Sequence, residues 1–292
     1  MHLLAVWRRG IDNITVEWVA LSEDITIVAR ETGDSWFINV RDQHATIPFT
    51  RLMTGSGKRG STGGLLNGAI ALGLSIEGEL KQRARSLPQY VFDLIFSYHN
   101  ARRAPGHFRR AADCFSALNR PEIASYFETH AREETGHERL AIKDLRALGL
   151  PAERIVAKFI PSGMKPLCDY HDSLALSDYP IGCIGYSYCF EYTAAFKGRS
   201  EVDAIEALWA PGIDASRFLR THSALGSEAG HVDDIVDFVS GLPASDRTEI
   251  VKVTYRTALA LAKGLRYLAG LSDAQIVAEI QAAAGAEICL AA

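Results

Sequence analysis

The distribution of apolar and polar residues divides the chain into two unequal parts. Up to about residue 50, short runs rich in Val, Ile, Thr, Trp and Phe are separated by turn-prone residues. Runs of this composition and length, bounded by turns, are typical of β-strands. The N-terminal part therefore predicts three or four strands, in "HLLAVWR", "NITVEWVAL", "ITIVARET" and "SWFINVR".

The rest of the chain follows a helical pattern. It begins after "TGSGKRGSTGG", a glycine- and serine-rich stretch that predicts a flexible linker. From about Leu65 onward, seven or eight helical segments succeed one another with no strand pattern between them. The segment "NRPEIASYFETHAREETGHERLAIKDLRALG" predicts one long helix, capped by Asn119 and closed by Gly149. Ser272 and Gln275 form a capping box for the last helix.

These patterns predict a mainly α protein, a helical bundle of about seven to eight helices with a small β-rich N-terminal extension. We place the β-rich extension and its Gly/Ser linker at residues 1–62 and the helical domain at residues 63–292. Three roles are open for the extension: it could form a dimer contact, cover a pocket or bind a partner.

Composition narrows the class of protein. The 292 residues are 48% hydrophobic and 23% charged, with a net charge of −4, which is ordinary for a globular chain with a sizeable core. We expect neither nucleic acid nor a membrane as a partner, because no basic patch or spanning segment is evident. The N-terminus lacks the pattern of a secretory signal, and five scattered cysteines without a CxxC motif favour the cytoplasm.

A repeated Glu-x-Gly-His motif is the first candidate for chemistry. Glu134 and His137 occupy positions i and i+3, and Glu228 and His231 repeat the spacing. On a helix such side chains can converge on one point. Either motif alone is also compatible with a solvated charged helix. The glycine before each histidine costs about 1 kcal/mol relative to alanine in a helix, which suggests that a helix or ligand approaches closely there.

A single carboxylate in an apolar run is the second candidate. Glu191 is the only charged residue between Asp178 and Lys197, and its neighbours form no consistently polar stripe. A buried carboxylate must be protonated, paired or bound to a cation. The alternative is an amphipathic helix with Glu191 on its wet side.

Together these residues match a known kind of site. Carboxylate-bridged di-metal sites in helical bundles take a Glu-x-x-His pair from each of two helices and a single Glu from each of two others. Mixed oxygen and nitrogen ligands suit iron or manganese. The fourth carboxylate is not obvious, and four residues are candidates: Glu77, Glu79, Asp93 and Glu128.

The segment "FETHAREETGHERLAIKDLRALG", the single Glu that follows it, and "FLRTHSALGSEAGHVDDI" resemble the haem-oxygenase-like di-iron oxidases and oxygenases. That family, also labelled iron-containing redox enzymes, shares a fold with the TenA and PqqC proteins, and the resemblance covers roughly residues 88 to 270. It implies the metal ligands Glu134, His137, Glu191, Glu228 and His231.

The sequence departs from the family pattern at one ligand. The last metal helix of the family typically carries His-x-x-x-Asp/Glu-x-x-His, and strict spacing puts Ala224 where the first histidine is expected. His222 lies two residues earlier. Either a bulge or π-turn brings His222 into the site, or one ligand is missing. We take His222 as the sixth ligand, because its separation from Glu191 along the sequence suits the family pattern.

Other residues are weaker candidates. His99, His130 and Tyr188 are assigned to the surroundings of the metals or to substrate binding. Tyr186, Tyr192 and the segment "YHDSLALSDYPIG" are expected to line a pocket, whereas His107 and His171 are expected to be surface or structural residues.

The resemblance implies an O₂-dependent non-haem di-iron enzyme with two Fe ions, Mn as the alternative metal, and O₂ as co-substrate. Its substrate would be a small organic molecule, amino-acid-derived or fatty-acid-like, oxidised by N-oxygenation, hydroxylation, desaturation or C–C cleavage. A homodimer is the expected assembly. Two alternatives remain: a metal-free oxidase or hydrolase like PqqC or TenA, with Cys189 as the nearest nucleophile, or a non-catalytic metal-binding protein.

Overall fold

The N-terminal part forms a small antiparallel sheet, as the sequence predicted. The computed structural model describes residues 16–39, 55–75, 85–226, 230–285 and 288. Within them the strands are β1 (Val16–Ala20), β2 (Ile25–Arg30) and β3 (Ser35–Asn39), paired in the order β1-β2-β3. The predicted strand "HLLAVWR" lies outside the described residues.

The sheet packs directly on α1 (Arg59–Ser75), the first helix of the described residues. Three glycines of α1 at a spacing of four residues, Gly60, Gly64 and Gly68, form the contact face, and a methyl group on any of them would clash with the sheet or its turn. The predicted linker is therefore wrong over residues 59–64, which are helical. Glycine is used there for close approach of two elements, and its low helix propensity had suggested a flexible connection.

A buried ion pair also connects the sheet to the helices. Glu17 of β1 accepts a hydrogen bond from Arg247 Nη1 at 2.6 Å, and the Arg247 side chain is 1% exposed. The same guanidinium donates to the carbonyl oxygens of Leu242 and Gly55, and Ser61 donates to Glu17. Arg247 is thus partnered on several sides, as a buried charge requires.

The helical region is divided into more helices than the seven or eight predicted. Its remaining helices are α2 (Leu87–Ala117), α3 (Pro121–Glu133), α4 (Glu138–Ala147), α5 (Ala152–Lys158), α6 (Lys165–Ala175), α7 (Gly182–Ala195), α8 (Arg199–Glu206), α9 (Arg217–His222), α10 (His231–Ser240), α11 (Ala244–Gly270) and α12 (Asp273–Ala284). Across the described ranges, none of the helices is apolar over a length that could cross a membrane.

Two predicted helices are interrupted; site residues occupy the first interruption, and His222 and His231 flank the second. The long helix predicted from Asn119 onward is two helices, α3 and α4, with a turn at residues 134–137. Asn119 has a φ of +59° and does not cap α3, whose N-cap is Arg120. The helix predicted around residue 222 likewise divides into α9 and α10. The capping box of Ser272 and Gln275 is present at the start of α12.

A large part of the core lies along α11, which packs closely on both α1 and α7. Gly185 of α7 lies against the backbone of α11 at Ile250, and Gly73 of α1 lies against Ala258 of the same helix. These contacts fix α7, the helix that carries Glu191, against the rest of the bundle.

Candidate metal centre

Glu134 and His137 lie in the turn that joins α3 to α4. The His137 Nδ1–H donates to Glu134 Oε2 over 3.1 Å, so the i, i+3 pairing survives although the helix is broken. Gly136 has a φ of +101°, a conformation that L side chains rarely adopt, and a Cβ there would meet nothing within 4 Å. The expectation that a neighbouring helix approaches this glycine closely is therefore wrong, whereas close approach of a ligand stays a prediction; the backbone conformation explains the glycine.

The glycine of the second motif also lacks a close neighbour. Gly230 precedes the first residue of α10, with φ −86° and nothing within 4 Å of a Cβ built there. Among the described residues no helix approaches Gly230 closely, so that part of the expectation is wrong here too, and close approach of a ligand stays a prediction.

His222 joins the first pair from the end of α9. Its ring centroid lies 5.0 Å from that of His137, and one ligand atom from each of Glu134, His137 and His222 lies within 4.8 Å of the others. Neither a bulge nor a π-turn is needed, because α9 ends at His222 and the next residue is extended. Ala224, at the strictly spaced position, is exposed.

A buried carboxylate on α4 positions α9 against the Glu134–His137 turn. Asp144 Oδ2 accepts from the Phe218 backbone N–H at 2.8 Å, and Oδ1 accepts from Arg217 Nη1 at 3.1 Å. Burial raises the pKa of Asp144, and the bonds from Phe218 and Arg217 oppose that rise. His222, at the other end of α9, packs on Phe218 with a centroid distance of 4.4 Å.

The charge state of Glu134 suits a cation. Burial would raise its pKa, but the hydrogen bond from His137 and the fields of His222 and His130 outweigh burial, so the pKa is lowered. A carboxylate that stays ionised among imidazoles, with 14% of its side chain exposed, is a good ligand for a divalent metal.

Glu191 and His231 form a second pair. Glu191 Oε2 lies 3.9 Å from His231 Nδ1, and His231 is the first residue of α10. Stacking of Phe238 on Tyr126, with ring centroids 4.0 Å apart, packs α10 on α3. This packing leaves the rings of His231 and His130 6.2 Å apart.

His130 lies between the two pairs and is already hydrogen-bonded. Its Nδ1–H donates to Glu133 Oε2 at 3.0 Å, and its Nε2 lies 2.7 Å from the Tyr126 hydroxyl. Burial raises the pKa of Tyr126 well above its usual value, and the negative charge of Glu191 adds to the rise. A neutral Tyr126 therefore donates its proton to His130 Nε2.

The remaining carboxylates predicted from the sequence fall into two groups. Glu228, Glu77 and Glu79 lie outside the described residues. Glu128 is exposed, and Asp93 is paired with Arg85. Neither provides an evident fourth carboxylate beside the two pairs.

A cavity of about 600 Å³ opens beside the two pairs. Glu134, Glu191 and His222 line it together with a mostly apolar wall from α1, α2, α7 and α11. Phe96 and Phe190 pack on each other in that wall, with centroids 5.9 Å apart. A volume of this size and character is typical of a small-molecule site.

The cavity also has a charged group, around Lys197, that the sequence patterns did not indicate. Lys197, just after the end of α7, lines it together with the ion pair of Arg85 and Asp93. Burial lowers the pKa of Lys197 to about 8, and the charge of Arg85 contributes in the same direction. The isolated lysine after an apolar helix resembled an ordinary helix end, and no sequence signal connected it to residues 85 and 93.

The weaker candidates are placed as follows. His99 donates from Nε2 to the Phe159 carbonyl oxygen at 2.8 Å, and Tyr188 donates to Asn67 Oδ1 at 2.6 Å. Neither is among the described residues that line the cavity, whereas Tyr186 and Tyr192 are.

His171, which we expected to be structural, also lines the cavity. It is 1% exposed and stacks on Tyr186 with a centroid distance of 4.0 Å. Neither ring nitrogen has a hydrogen-bond partner within the described part of the chain.

The structure does not favour a reaction with Cys189 as the nucleophile. Cys189 is fully buried, and burial raises the pKa of its thiol to about 12. A thiol in this state is a poor nucleophile at neutral pH. No cysteine is among the described residues that line the cavity.

Comparison with known proteins bears on the fold. Neither a protein family nor a curated protein matches the sequence. A domain of unknown function with a haem oxygenase-like fold, from Shewanella denitrificans OS217, matches with a TM-score of 0.53 and 19% identity over 73% of this chain and 92% of that one. A TenA homolog from Pseudomonas syringae pv. tomato DC3000 matches with a TM-score of 0.55 and 13% identity over 74% of this chain and 100% of that one. The chain therefore has a haem oxygenase-like fold.

Proposed function

We propose that the protein is an O₂-dependent non-haem di-iron oxidase or oxygenase that acts on a small organic substrate. The observation that carries this proposal is the convergence of Glu134, His137 and His222 within 4.8 Å of one another at the wall of a cavity of about 600 Å³. Glu191, paired with His231, lines the same cavity. The haem oxygenase-like fold of the chain is compatible with this assignment.

The residues present fit iron or manganese. One carboxylate and two imidazoles form the first group, and the carboxylate stays ionised although it is buried. Such a mixed oxygen and nitrogen donor set suits Fe(II) or Mn(II). Glu134, His137 and His222 would hold one ion; Glu191 and His231, with Glu228, would hold the other.

Bound iron would supply the electrons that O₂ needs to react with an otherwise inert organic molecule. The chain itself would bind the substrate and exclude water through the apolar wall that includes Phe96 and Phe190. The Tyr126 hydroxyl donates to His130 Nε2, and His130 Nδ1–H donates to Glu133. These two hydrogen bonds fix the His130 ring beside the second pair.

N-oxygenation, hydroxylation, desaturation and oxidative C–C cleavage all remain compatible with this site. A metal-free reaction of the TenA type is the main alternative, and the buried thiol of Cys189 argues against a cysteine nucleophile there. A purely metal-binding protein is the other, and it would load iron without consuming O₂.

The test is anaerobic loading with Fe(II), removal of free metal, and iron analysis, followed by measurement of O₂ consumption. We expect about two irons per chain, as in carboxylate-bridged sites of helical bundles, and O₂ uptake that a chelator abolishes. Glu128→Gln serves as a control variant. It changes an exposed carboxylate on the same helix as His130, and it should bind as much iron as the wild type. No bound iron in the wild-type protein would refute the proposal, and bound iron without O₂ uptake would leave only metal binding.

A further inference from the structure

We propose that Lys197 binds the carboxylate of a monoanionic substrate whose apolar body extends along the cavity toward Glu191. The inference rests on the proposed function for the chemistry that follows, but the binding step itself does not require a metal. Lys197 lines the cavity beside Arg85 and Asp93, and the wall between is mostly apolar.

The charge balance at this end of the cavity favours one negative charge. Arg85 and Asp93 are ion-paired, so they largely cancel each other. The ammonium of Lys197 makes no hydrogen bond or ion pair with another residue of the described chain, and it is partly buried. One uncompensated cation in apolar surroundings is neutralised by a carboxylate, whereas a phosphate dianion would leave excess negative charge.

The position of Lys197 determines the orientation of such a substrate. The Ala224 N–H donates to the Lys197 carbonyl oxygen at 3.2 Å, which fixes the lysine backbone beside the turn that follows His222. Lys197 lies two residues beyond the end of α7, the helix that carries Glu191, and both side chains line the same cavity. A carboxylate at Lys197 therefore directs the opposite, apolar end of the molecule toward the metal-ligand candidates.

The burial of Lys197 supports a binding role. Its pKa is lowered to about 8 by burial and by Arg85, with Asp93 acting against them, so it is mostly protonated at neutral pH. A carboxylate beside it would restore the stabilisation that burial removes. Because Lys197 must be protonated to pair with a carboxylate, binding should weaken as the pH rises past about 8.

The test is calorimetric titration of the metal-free protein with octanoate, octan-1-ol and octylamine. We expect wild-type protein to bind octanoate most tightly. In Lys197→Met, octanoate affinity should fall at least about tenfold, while octan-1-ol affinity should stay within about twofold, since only the charged contact is lost. Lys197→Arg should keep most of the octanoate affinity. Lys263→Met, which removes an exposed lysine of α11, should behave like wild type.

Other results would overturn the proposal. Equal binding of octanoate and octan-1-ol by the wild type, or unchanged octanoate affinity in Lys197→Met, would exclude Lys197 as the anion site. Loss of octanoate binding in His222→Ala but not in Lys197→Met would place the carboxylate at the metal ligands. Because no metal is present, failure here is distinct from failure to load iron or consume O₂.

Discussion

Glu134 and His137 are joined by a 3.1 Å hydrogen bond across a turn, although their spacing had suggested one continuous helix. The turn lets α3 end and α4 begin at the site, so both side chains and His222 come together. The backbone conformation of Gly136 is central to this turn, because its φ of +101° disfavours any other residue.

Gly136→Ala should therefore disturb the site without creating a clash. We expect a loss of at least about 1 kcal/mol in the free energy of unfolding, because a side chain is strained at this φ. The affinity for Fe(II) should fall as well, since the turn carries two ligand candidates. Denaturant unfolding and metal titration measure the two effects.

Gly106→Ala is the control for this change. Gly106 is helical, exposed and free of close neighbours. Alanine there should be neutral or stabilise the protein by up to about 1 kcal/mol. Equal effects of the two substitutions would contradict a special role for the Gly136 conformation.

Removal of single imidazoles should separate the two ligand groups. His222→Ala should lower the iron content of anaerobically loaded protein from about two to about one per chain, because each ion needs its own imidazole. His231→Ala should do the same for the group that contains Glu191. Iron analysis with circular dichroism as a check of folding measures this, and full retention of iron in both variants would argue against these ligands.

The fold class was largely predictable from local patterns. Short runs rich in β-branched residues predicted β1, β2 and β3, and helical periodicity predicted the helical region that follows. Of the residues indicated by the repeated Glu-x-Gly-His motif and by Glu191, the structure brings Glu134, His137, Glu191 and His231 to one cavity wall or next to it, and Glu228 lies outside the described residues. Such residues can be recognised from sequence because their types and spacing are chemically restrictive.

What was not predictable depends on tertiary context. A single glycine inside a helical pattern is usually tolerated, so the break at Gly136 gave no clear signal. Gly60 and Gly64 looked like linker residues because only the packed sheet explains them. Lys197 and Arg85 are distant in sequence, and only the packing of α2 against α7 places both on one cavity.

The ion pair between Glu17 and Arg247 should stabilise the contact between the sheet and the helices. Glu17→Gln leaves a buried guanidinium without its carboxylate, and we expect a loss of about 3–5 kcal/mol in the free energy of unfolding. The double variant Glu17→Met, Arg247→Met should lose less, because no buried charge remains unpaired. Urea denaturation measures both.

The comparison for this prediction is an exposed pair. Lys165 and Asp169 lie one helical turn apart, with side chains 57% and 56% exposed. Asp169→Asn should cost less than about 0.5 kcal/mol. If Glu17→Gln costs no more than Asp169→Asn, the buried pair does not anchor the sheet.

The buried imidazole of His171 should make stability depend on pH. Burial lowers its pKa well below the usual 6.5, and the nearby His107 and Arg103 add to this. The unfolded chain then binds more protons than the folded one below about pH 6.5, so stability falls as the pH decreases through this range. His171→Phe keeps an aromatic ring against Tyr186. It should reduce the slope of the free energy of unfolding against pH by up to about 1.4 kcal/mol per pH unit. Tyr186→Phe loses only its hydrogen bond to Asn100. It should change the free energy of unfolding by the same amount at each pH and leave the slope against pH unchanged. Urea denaturation between pH 5 and pH 7 compares the three proteins, and an unchanged slope in His171→Phe would show that other groups control the acid response.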